Sequence, residues 1–398
     1  MIRRALAATL RHHLGRGKSV LLLGPRQTGK TTLLGDVPAD LRVELTEPRE
    51  RQRYEKDPST LRDEVAALRA RRPVIVVDEV QRVPELLNVA QGLIDMRRAQ
   101  FVLTGSSARK LRRGREVNLL PGRVVSLRLD PLTLEESMPR TLQEALTDGT
   151  LPGIRIEDSA SDREDDLRSY VETYLEEEVR QEALVKRMAP FSRFLELAAL
   201  ESGHIVNFAA MASDVGASAP TVRGYYEILD DCLVAERVDP ITRSVTRKKL
   251  TRSSRYLLFD LGVRRLAAGE GRRLGPERMG ELFEQFVGLE LIRACRLHFP
   301  SARVRFWRDP DGPEVDWVVE HHGGYVPVEV KWTDRPGSAD ARHLNVFLSE
   351  HRGAKQGFIV CRCPRALAVD NRVDAVPWQT LADPAKAVLA AVRSLDRP

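Results

Sequence analysis

Short apolar runs alternate with helical patterns along the first 158 residues of this chain. The apolar runs occupy residues 19–23, 74–77, 101–103 and 124–129, and helical periodicity occupies residues 60–70 and 84–97. Alternation of strands and helices predicts a parallel sheet with helices on both faces. Residues 1–158 are therefore predicted to form one α/β domain.

Two further regions follow, each with its own pattern. Residues 158–166 read DSASDREDD, which is polar and acidic and predicts a connecting loop. From 167 to 271 the pattern is mostly helical, whereas from 276 to 398 a helix precedes three strands, a second helix and a further strand. We therefore predict a multi-domain α/β protein with domains at 1–158, 167–271 and 276–398.

Composition limits the classes of protein to which the chain can belong. The 398 residues carry 63 Lys and Arg against 57 Asp and Glu, and the resulting net charge of +6 permits a nucleic-acid partner without requiring one. No apolar stretch approaches the roughly 18 residues of a transmembrane helix, so no membrane partner is expected. The four cysteines lie in apolar surroundings without zinc-site spacing, which predicts buried thiols and a cytoplasmic location.

The first apolar run leads into GPRQTGKT, which has the G-x-x-x-x-G-K-T spacing of a phosphate-binding loop. A loop that turns into a helix N-terminus presents converging backbone N–H groups to an anion, and its glycines permit the tight turn. Lys30 is expected to reach the β- and γ-phosphates of ATP, and the Thr31 hydroxyl to ligate Mg²⁺. The predicted ATP-binding residues here are Gly24, Pro25, Arg26, Gln27, Thr28, Gly29, Lys30, Thr31 and Thr32.

The second apolar run, PVIVVDEVQ, ends in two adjacent carboxylates. Asp78 is expected to hold Mg²⁺ through water, and Glu79 to orient and polarise the attacking water. Two carboxylates at the end of a buried strand are costly unless a cation lies nearby. A surface turn after the strand is the alternative interpretation.

The third apolar run ends in the polar residues Thr104, Ser106 and Ser107. A side chain such as Ser106 at this strand end would sense the γ-phosphate. Alternatively, Ser106 or Ser107 caps a helix that begins at residue 108. The sequence leaves both interpretations open.

Four segments together resemble the prokaryotic AAA-type ATPases that carry a C-terminal domain of unknown function: GPRQTGKTT, VVDEVQRVP, LTGSSARKL and LPGRVVSLRLDPLTLEE. The resemblance extends into the middle region, at residues 170–180 and 194–229. It implies an ASCE-type P-loop domain, a winged helix and a nuclease-like fold. It also implies that Arg123, in the LPGR motif, contacts the γ-phosphate either in its own chain or from a neighbour in a homo-oligomer. A surface arginine at the start of a strand is the alternative.

Three helical patterns in the middle region, at 191–201, 207–215 and 220–231, have helix-turn-helix spacing, and Ser218 is placed to cap the third. A basic ribbon at 243–255 follows and would form a wing. On double-stranded DNA, Thr221 and Arg223 would face the groove, and the phosphates would be bound by Arg243, Arg247, Lys248, Lys249 and Arg252. A protein-contact module or an ATPase lid is the alternative.

Acidic residues recur in the C-terminal region, with Glu284 on its first helix, Asp316 on a strand, and Glu329 and Lys331 on one face of the next strand. The order helix–strand–strand–strand–helix–strand around D…E-x-K resembles the restriction-endonuclease-like fold. In that chemistry the three carboxylates would hold Mg²⁺ or Mn²⁺, and Lys331 would stabilise or deprotonate the attacking water. A salt-bridged surface and an inactive nuclease fold are the alternatives.

Two functions therefore stay open. One is an ATP-driven, DNA-associated enzyme with a metal-dependent nuclease domain. The other is an ATP-dependent switch that regulates or remodels a protein partner, with an inactive nuclease-like domain as a binding platform. A small-molecule kinase would leave Glu79 and the two later domains unexplained.

Overall fold

The computed structural model describes residues 2–106, 122–175, 188–242, 250–310 and 312–396. These residues form two compact units. The first unit contains 2–106, 122–131 and 226–234, and the second contains the remaining described residues. Within the described part of the chain, no helix is both long enough and apolar enough to cross a membrane.

The first unit is built on a five-stranded parallel sheet with the order β2–β3–β4–β1–β5. Its strands are β1 (Ser19–Leu23), β2 (Leu41–Glu44), β3 (Val74–Asp78), β4 (Gln100–Gly105) and β5 (Val124–Arg128). Because the strands are parallel, the carboxyl ends of β1, β3 and β4 meet at one edge of the sheet. The loop after Leu23, the acidic pair at Asp78 and the polar end of β4 therefore lie side by side.

Five helices accompany this sheet: α1 (Leu6–Gly15), α2 (Lys30–Gly35), α3 (Pro48–Lys56), α4 (Thr60–Ala67) and α5 (Leu86–Asp95). The four predicted strands and both predicted helices are present, with ends shifted by a few residues. β2 and α3 were not predicted, because each exposes most of its side chains. Only Val43 of β2 and Tyr54 of α3 are buried, so neither element produces an apolar run.

Ten α-helices lie wholly or partly in the described part of the second unit. They are α6 (Leu142–Asp148), α7 (Pro152–Ile156), α8 (Ala160–Ser169), α9 (Met188–Leu200), α10 (Phe208–Val215), α11 (Ala219–Asp231), α12 (Leu261–Ala267), α13 (Pro276–His298), α14 (Arg342–Glu350) and α15 (Ala387–Ser394). All four cysteines of the chain are buried, as predicted.

The prediction of a connecting loop at 158–166 is wrong, because α8 occupies most of it. The Ser159 hydroxyl caps this helix by accepting a hydrogen bond from the backbone N–H of Asp162 at 3.3 Å. Arg163 is buried and donates to Asp148 Oδ2 at 2.8 Å, and Leu167 anchors the last turn in the core. A polar segment becomes a helix here because its arginine is buried against a carboxylate that lies elsewhere in the sequence.

Three helices followed by a two-stranded antiparallel sheet form the middle of the chain. The helices are α9, α10 and α11, and the strands are β6 (Ala235–Val238) and β7 (Arg255–Leu258). The three predicted helices are present within three residues of their predicted ends. Ser218 caps α11 as predicted, since its hydroxyl accepts from the backbone N–H of Thr221 at 3.3 Å.

The C-terminal part of the second unit is a six-stranded mixed sheet with the order β12–β13–β11–β10–β9–β8. Its strands are β8 (Arg303–Arg308), β9 (Glu314–His321), β10 (Gly324–Val330), β11 (Gly357–Cys361), β12 (Leu367–Ala368) and β13 (Val373–Pro377). The long helix α13 packs on one face through an apolar stripe that includes Phe283 and Val287. The predicted order of elements is present, and β12, β13 and α15 extend it.

Helix α13 approaches β9 so closely that one position must be glycine. A Cβ on Gly288 would lie 2.4 Å from the ring of the buried Trp317, whereas a Cβ on Gly280 in the same helix would lie 3.6 Å from its nearest neighbour. We expect Gly288→Ala to lower the free energy of unfolding by about 1–3 kcal/mol through overpacking. Urea unfolding of the purified protein measures this.

The matched control is Gly280→Ala. It places the same methyl group in the same helix without a clash, and alanine favours helices by up to about 1 kcal/mol over glycine. Equal destabilisation by the two substitutions would contradict the close approach of α13 and β9.

Candidate functional site

The loop between β1 and α2 requires glycine at two positions. A Cβ on Gly24 would lie 2.4 Å from the carbonyl oxygen of Leu129, and Gly29 has a φ of 88° immediately before α2. Gln27 also has a positive φ, of 61°. The loop therefore wraps tightly onto the helix N-terminus, and this conformation turns successive N–H groups toward one point.

Lys30 lies across the mouth of this loop. Its buried ammonium donates to the carbonyl oxygens of Gly24 at 2.9 Å and Pro25 at 3.0 Å. It also lies 4.0 Å from Glu79 Oε1. The side chain is thus held at the position from which it would reach phosphate oxygens, beside the carboxylate predicted to act on water.

A chain of three side chains joins α2 to the ends of β3 and β4. The Thr31 hydroxyl donates to Asp78 Oδ2 at 2.9 Å, and the Thr104 hydroxyl donates to Asp78 Oδ1. A hydroxyl and a carboxylate in contact beside a phosphate-binding loop are the oxygen ligands that Mg²⁺ takes in such sites. The residues present therefore fit the predicted Mg²⁺ site.

Glu79 is held by its neighbours in a strained backbone conformation, with a φ of 56°. Its N–H donates to Thr104 Oγ1 at 3.0 Å, and its carboxylate accepts a hydrogen bond from Gln81 Nε2. Gln81 Nε2 also donates to Ser106 Oγ at 3.0 Å. Positive φ in a non-glycine residue costs of order 1 kcal/mol and is concentrated at functional sites.

The sequence did not identify Gln81 as part of this site, and it named Thr104 only as a polar strand end. A weak signal was present for Gln81, because this amide follows the acidic pair Asp78 and Glu79 within two residues at the end of a buried strand. Ser106 is buried beside Gln81, as its hydrogen bond requires. The helix that Ser106 or Ser107 would cap lies outside the described residues.

Arg123 lies at the surface and donates to Asp95 Oδ1 at 2.7 Å. The hydrogen bond to this carboxylate raises the pKa of the Arg123 guanidinium. A different arginine, which was not predicted, contacts the phosphate-binding loop directly. Arg4 donates to the carbonyl oxygen of Thr28, and also to that of Asp130 at 2.6 Å.

Three of the predicted DNA-binding residues are described, and all three are exposed. Thr221 lies in the first turn of α11, and the guanidinium of Arg223 stacks 4.5 Å above the Phe208 ring. Arg252 precedes β7. The remaining four, Arg243, Arg247, Lys248 and Lys249, lie outside the described residues.

The acidic residues predicted for the C-terminal site come together at one end of the β9–β10 pair. Lys331 Nζ donates to Glu329 Oε1 at 2.7 Å, and Asp316 Oδ2 accepts from the backbone N–H of Val330 at 2.8 Å. Glu284 lies on α13, and its backbone carbonyl oxygen accepts a hydrogen bond from Trp317 Nε1 on β9 at 3.1 Å. We call Glu284, Asp316, Glu329 and Lys331 the carboxylate cluster.

Burial and mutual repulsion alter the protonation of this cluster. Burial, and next the charge of Asp316, raises the pKa of Glu284 to about 8. Burial raises the pKa of Asp316, and burial together with Asp316 raises the pKa of Glu329 well above its usual range. Although burial lowers the pKa of Lys331, the Glu329 carboxylate raises it overall. A divalent cation would relieve this repulsion.

An arginine that was not predicted for this site enters the cluster from β7. Arg255 is buried and donates to Glu284 Oε1 at 2.9 Å. Its guanidinium lies 4.5 Å from the centre of the Phe306 ring and 5.6 Å from that of Trp317. The sequence showed it only as the last residue of the basic ribbon, so its role in pairing with Glu284 had no local signal.

One oxygen of the cluster has no hydrogen-bond donor among the described residues. Glu329 Oε2 is buried and unpartnered, whereas Oε1 pairs with Lys331. A buried carboxylate oxygen without a donor is costly unless it binds a cation or an ordered water molecule. The chemistry of these carboxylates therefore fits a divalent metal ion, and Asp316 and Glu329 lie on neighbouring strands of the sheet.

Three family models match the chain in succession. Residues 16–138 match an AAA domain, residues 139–273 a domain of unknown function (DUF8612), and residues 279–381 a domain of unknown function (DUF4143). The AAA domain contains the phosphate-binding loop, Asp78, Glu79, Ser106 and Arg123. The carboxylate cluster lies in the last of the three matched segments.

Two mycobacterial proteins align along most of the chain. They are Uncharacterized protein Rv2008c of Mycobacterium tuberculosis and Uncharacterized protein Mb2031c of Mycobacterium bovis. Each is 30% identical over 370 residues, which cover 88% of this chain and 81% of the relative.

Among solved structures, the chain is similar to Cdc6p from Pyrobaculum aerophilum and to protein VC1899 from Vibrio cholerae. Cdc6p is 15% identical and covers 70% of this chain and 92% of its own, with a TM-score of 0.27. VC1899 is 12% identical and covers 95% of this chain and 98% of its own, with a TM-score of 0.23. TM-scores of this size do not establish a shared overall fold.

The raised pKa of Glu284 predicts a dependence of stability on pH. A glutamate in the unfolded chain has a pKa of about 4.3. In the folded chain the pKa of Glu284 is raised to about 8. The folded chain therefore holds the extra proton between these values. The contribution of Glu284 to the free energy of unfolding is present at low pH and is lost as pH rises through about 8.

We expect the wild type in EDTA to lose stability between pH 5 and 8 more steeply than Glu284→Gln, as measured by urea unfolding at both values. Glu281→Gln is the matched control, because Glu281 lies on the same helix but pairs with Arg278 at the surface. Parallel pH profiles for the wild type and Glu284→Gln would contradict the raised pKa of Glu284.

Proposed function

We propose that this chain, which belongs to the same family as the two mycobacterial proteins and carries a P-loop AAA ATPase domain, couples ATP hydrolysis to the handling of double-stranded DNA. The observation that carries the ATPase part is the hydrogen-bonded arrangement of Lys30, Thr31, Asp78 and Glu79 at one edge of the parallel sheet. DNA binding and metal-dependent cleavage are further steps of the proposal. The cytoplasmic location stays a prediction.

The residues of the phosphate-binding loop have separate tasks in ATP hydrolysis. Backbone N–H groups of residues 26–32 would bind the phosphates, and Lys30 would move from the loop carbonyls to the β- and γ-phosphate oxygens. Mg²⁺ would supply charge neutralisation at the phosphates, held by Thr31 and, through water, Asp78. Glu79 orients the attacking water, and Gln81 and Thr104 hold Glu79 in place.

We expect Glu79 to keep its strained backbone conformation when ATP binds. The hydrogen bonds from its N–H to Thr104 and from Gln81 to its carboxylate support that conformation. Ser106, which bonds to Gln81, would link this arrangement to the γ-phosphate. Loss of the γ-phosphate would thereby change the hydrogen bonding of Ser106, which directly follows β4.

ATPase assays on three forms of the protein test this arrangement. We expect Lys30→Ala to lose nucleotide binding and Glu79→Gln to retain binding but lose turnover by about 100-fold or more, because a positioned base contributes that much to the rate. Fluorescent-nucleotide binding and phosphate release are the measurements. Lys56→Ala, which removes an exposed lysine from α3, is the control and should match the wild type.

Adding duplex DNA to the same assays tests the coupling. Stimulation of the wild-type rate, absent from Lys30→Ala, supports an ATP-driven action on DNA. An unchanged rate points instead to the alternative, a switch that acts on a protein partner. ATP hydrolysis that survives Lys30→Ala would contradict the ATPase site itself.

The middle of the chain is where we propose that DNA binds, in a winged-helix arrangement. Its three helices and antiparallel hairpin have the order of that motif, and Thr221 and Arg223 occupy exposed positions at the start of α11. Arg252 and the basic residues Arg243, Arg247, Lys248 and Lys249 would contact phosphates. Binding should weaken steeply as salt is raised, because phosphate contacts release counterions.

The carboxylate cluster is where we propose a metal-dependent nuclease site on a restriction-endonuclease-like fold. Asp316 and Glu329 would hold Mg²⁺ or Mn²⁺ with Glu284 in support, and Lys331 would stabilise the attacking water. Glu329 Oε2, buried without a donor among the described residues, is the observation that favours a bound cation over a surface salt bridge.

Incubation with supercoiled plasmid and Mn²⁺ tests cleavage. We expect nicking by the wild type and its loss in the double variant Asp316→Asn, Glu329→Gln. Glu320→Gln is the matched control. Glu320 lies on the same strand as Asp316, but it is not part of the carboxylate cluster, and its carboxylate pairs with Arg305 at a distance of 2.6 Å. Nicking that survives the double substitution would rule out this site, and absence of nicking by the wild type would favour the inactive platform.

Arg123 is proposed to act on the γ-phosphate, in its own chain or from a neighbour in a homo-oligomer. The ion pair with Asp95 gives it a resting position at the surface. At the nucleotide, the guanidinium would stabilise charge on the transferring phosphoryl group.

A further inference from the structure

Two histidines and an aspartate converge at the end of the β9–β10 hairpin that is remote from the carboxylate cluster. His321 Nε2 lies 2.6 Å from Asp396 Oδ1, and His322 Nε2 lies 3.6 Å from the same oxygen. The three ligand atoms all lie within 4.8 Å of one another. Imidazole nitrogen and carboxylate oxygen are ligands that Zn²⁺ takes in proteins.

The turn between the strands brings the two histidines to one side. Successive residues of a strand point to opposite faces, so adjacent histidines would normally diverge. His322 has a φ of 46° and Gly323 a φ of 80°, which form a two-residue turn with both residues in the left-handed region. The His321 and His322 rings consequently lie with their centroids 4.1 Å apart.

The Ser301 hydroxyl contacts the ring nitrogen of His321 that faces away from Asp396. The Ser301 hydroxyl lies 3.3 Å from His321 Nδ1, and Nε2 on the other side of the ring faces Asp396. His321 is buried, with 2% of its surface exposed. A partner on Nδ1 holds the orientation of the ring and leaves Nε2 to bind a metal ion, as in many metal-binding histidines.

We propose that His321, His322 and Asp396 form a binding site for a zinc-class divalent cation, separate from the magnesium chemistry of the phosphate-binding loop. Three protein ligands of this kind leave a fourth position for water. The site lies five residues along β9 from Asp316, or about 16 Å at strand spacing. It therefore shares no ligand with the carboxylate cluster, and it does not depend on the proposed function.

The ligand geometry requires only a small adjustment. Tetrahedral zinc with bonds near 2.0 Å separates neighbouring ligand atoms by about 3.3 Å. Asp396 would move away from His321 by less than about 1 Å, and it is already close to that distance from His322. Asp396 follows the last helical turn and its side chain is 46% exposed, so the surrounding residues leave it room to move.

Bound zinc would connect the hairpin turn to the segment after α15. The same hairpin carries Asp316 and Glu329 at its opposite end, so the cation would stabilise the register of the two strands that present them. Because zinc would bind the folded chain and not the unfolded one, it should raise the midpoint of thermal unfolding.

Zinc titration of the metal-free full-length chain against a chromophoric chelator tests the site. We expect the wild type to bind zinc at one site that the double variant His322→Gln, Asp396→Asn weakens by about 100-fold or more, with loss of the thermal shift, because two ligands are removed. Both side chains are half exposed, so the double variant should fold. Ser301→Ala should weaken binding by about tenfold through loss of ring orientation.

Two controls identify the site. His204→Gln removes an exposed histidine that lies 3.7 Å from Glu201, and Asp316→Asn with Glu329→Gln removes two carboxylates of the carboxylate cluster. Both should bind zinc as the wild type does. Substitution of Co²⁺ should give visible absorption typical of four-coordinate nitrogen and oxygen ligation, which the double variant lacks. Unchanged zinc affinity in the double variant, or no zinc binding by the wild type, would overturn the proposal.

Discussion

At both candidate sites the described carboxylates are held by opposite charges or by polar hydrogens, and Glu329 Oε2 is a buried oxygen without such a partner among the described residues. At the end of β3, Asp78 is satisfied by the hydroxyls of Thr31 and Thr104, while Glu79 lies beside Lys30. These hydroxyl, carboxylate and ammonium groups are also of the types that bind ATP and Mg²⁺. The groups that neutralise one another in the free protein are those that would bind phosphates and metal.

In the carboxylate cluster the carboxylates outnumber the nearby cations. It has two nearby cations, Lys331 and Arg255, against three carboxylates whose pKa values are raised, of which Asp316 and Glu329 are buried and Glu284 is half-buried. Removing one partner of a buried ion pair costs about 3–5 kcal/mol, so Arg255 is important for folding as well as for charge. Because Arg255 belongs to β7, the cluster is linked to the strand that follows the basic ribbon.

Buried arginines also stabilise other parts of the second unit. Arg264 and Arg265 are wholly buried and pair with Glu270 and Glu164, respectively, and each donates to a backbone carbonyl as well. Arg293 pairs with Glu290 at 3.0 Å in the same way. Polar segments of the chain are thereby built into the interior, which is why helix α8 arose where polarity predicted a loop.

Local patterns determined much of what could be predicted about this protein. The spacing GPRQTGKT, the apolar runs ending in Asp78 and in Thr104, and the helical periodicity of α13 depend on neighbours in sequence, and each was identified correctly. The grouping of Glu329 with Lys331 also follows from strand alternation alone. The tertiary structure decided the rest: the Gln81 contact with Glu79, the pairing of Arg255 with Glu284, the helix at 160–169, and the convergence of His321 and His322 on Asp396. These depend on contacts between residues far apart in the chain or on a single positive φ, and neither leaves a periodic signal in the sequence.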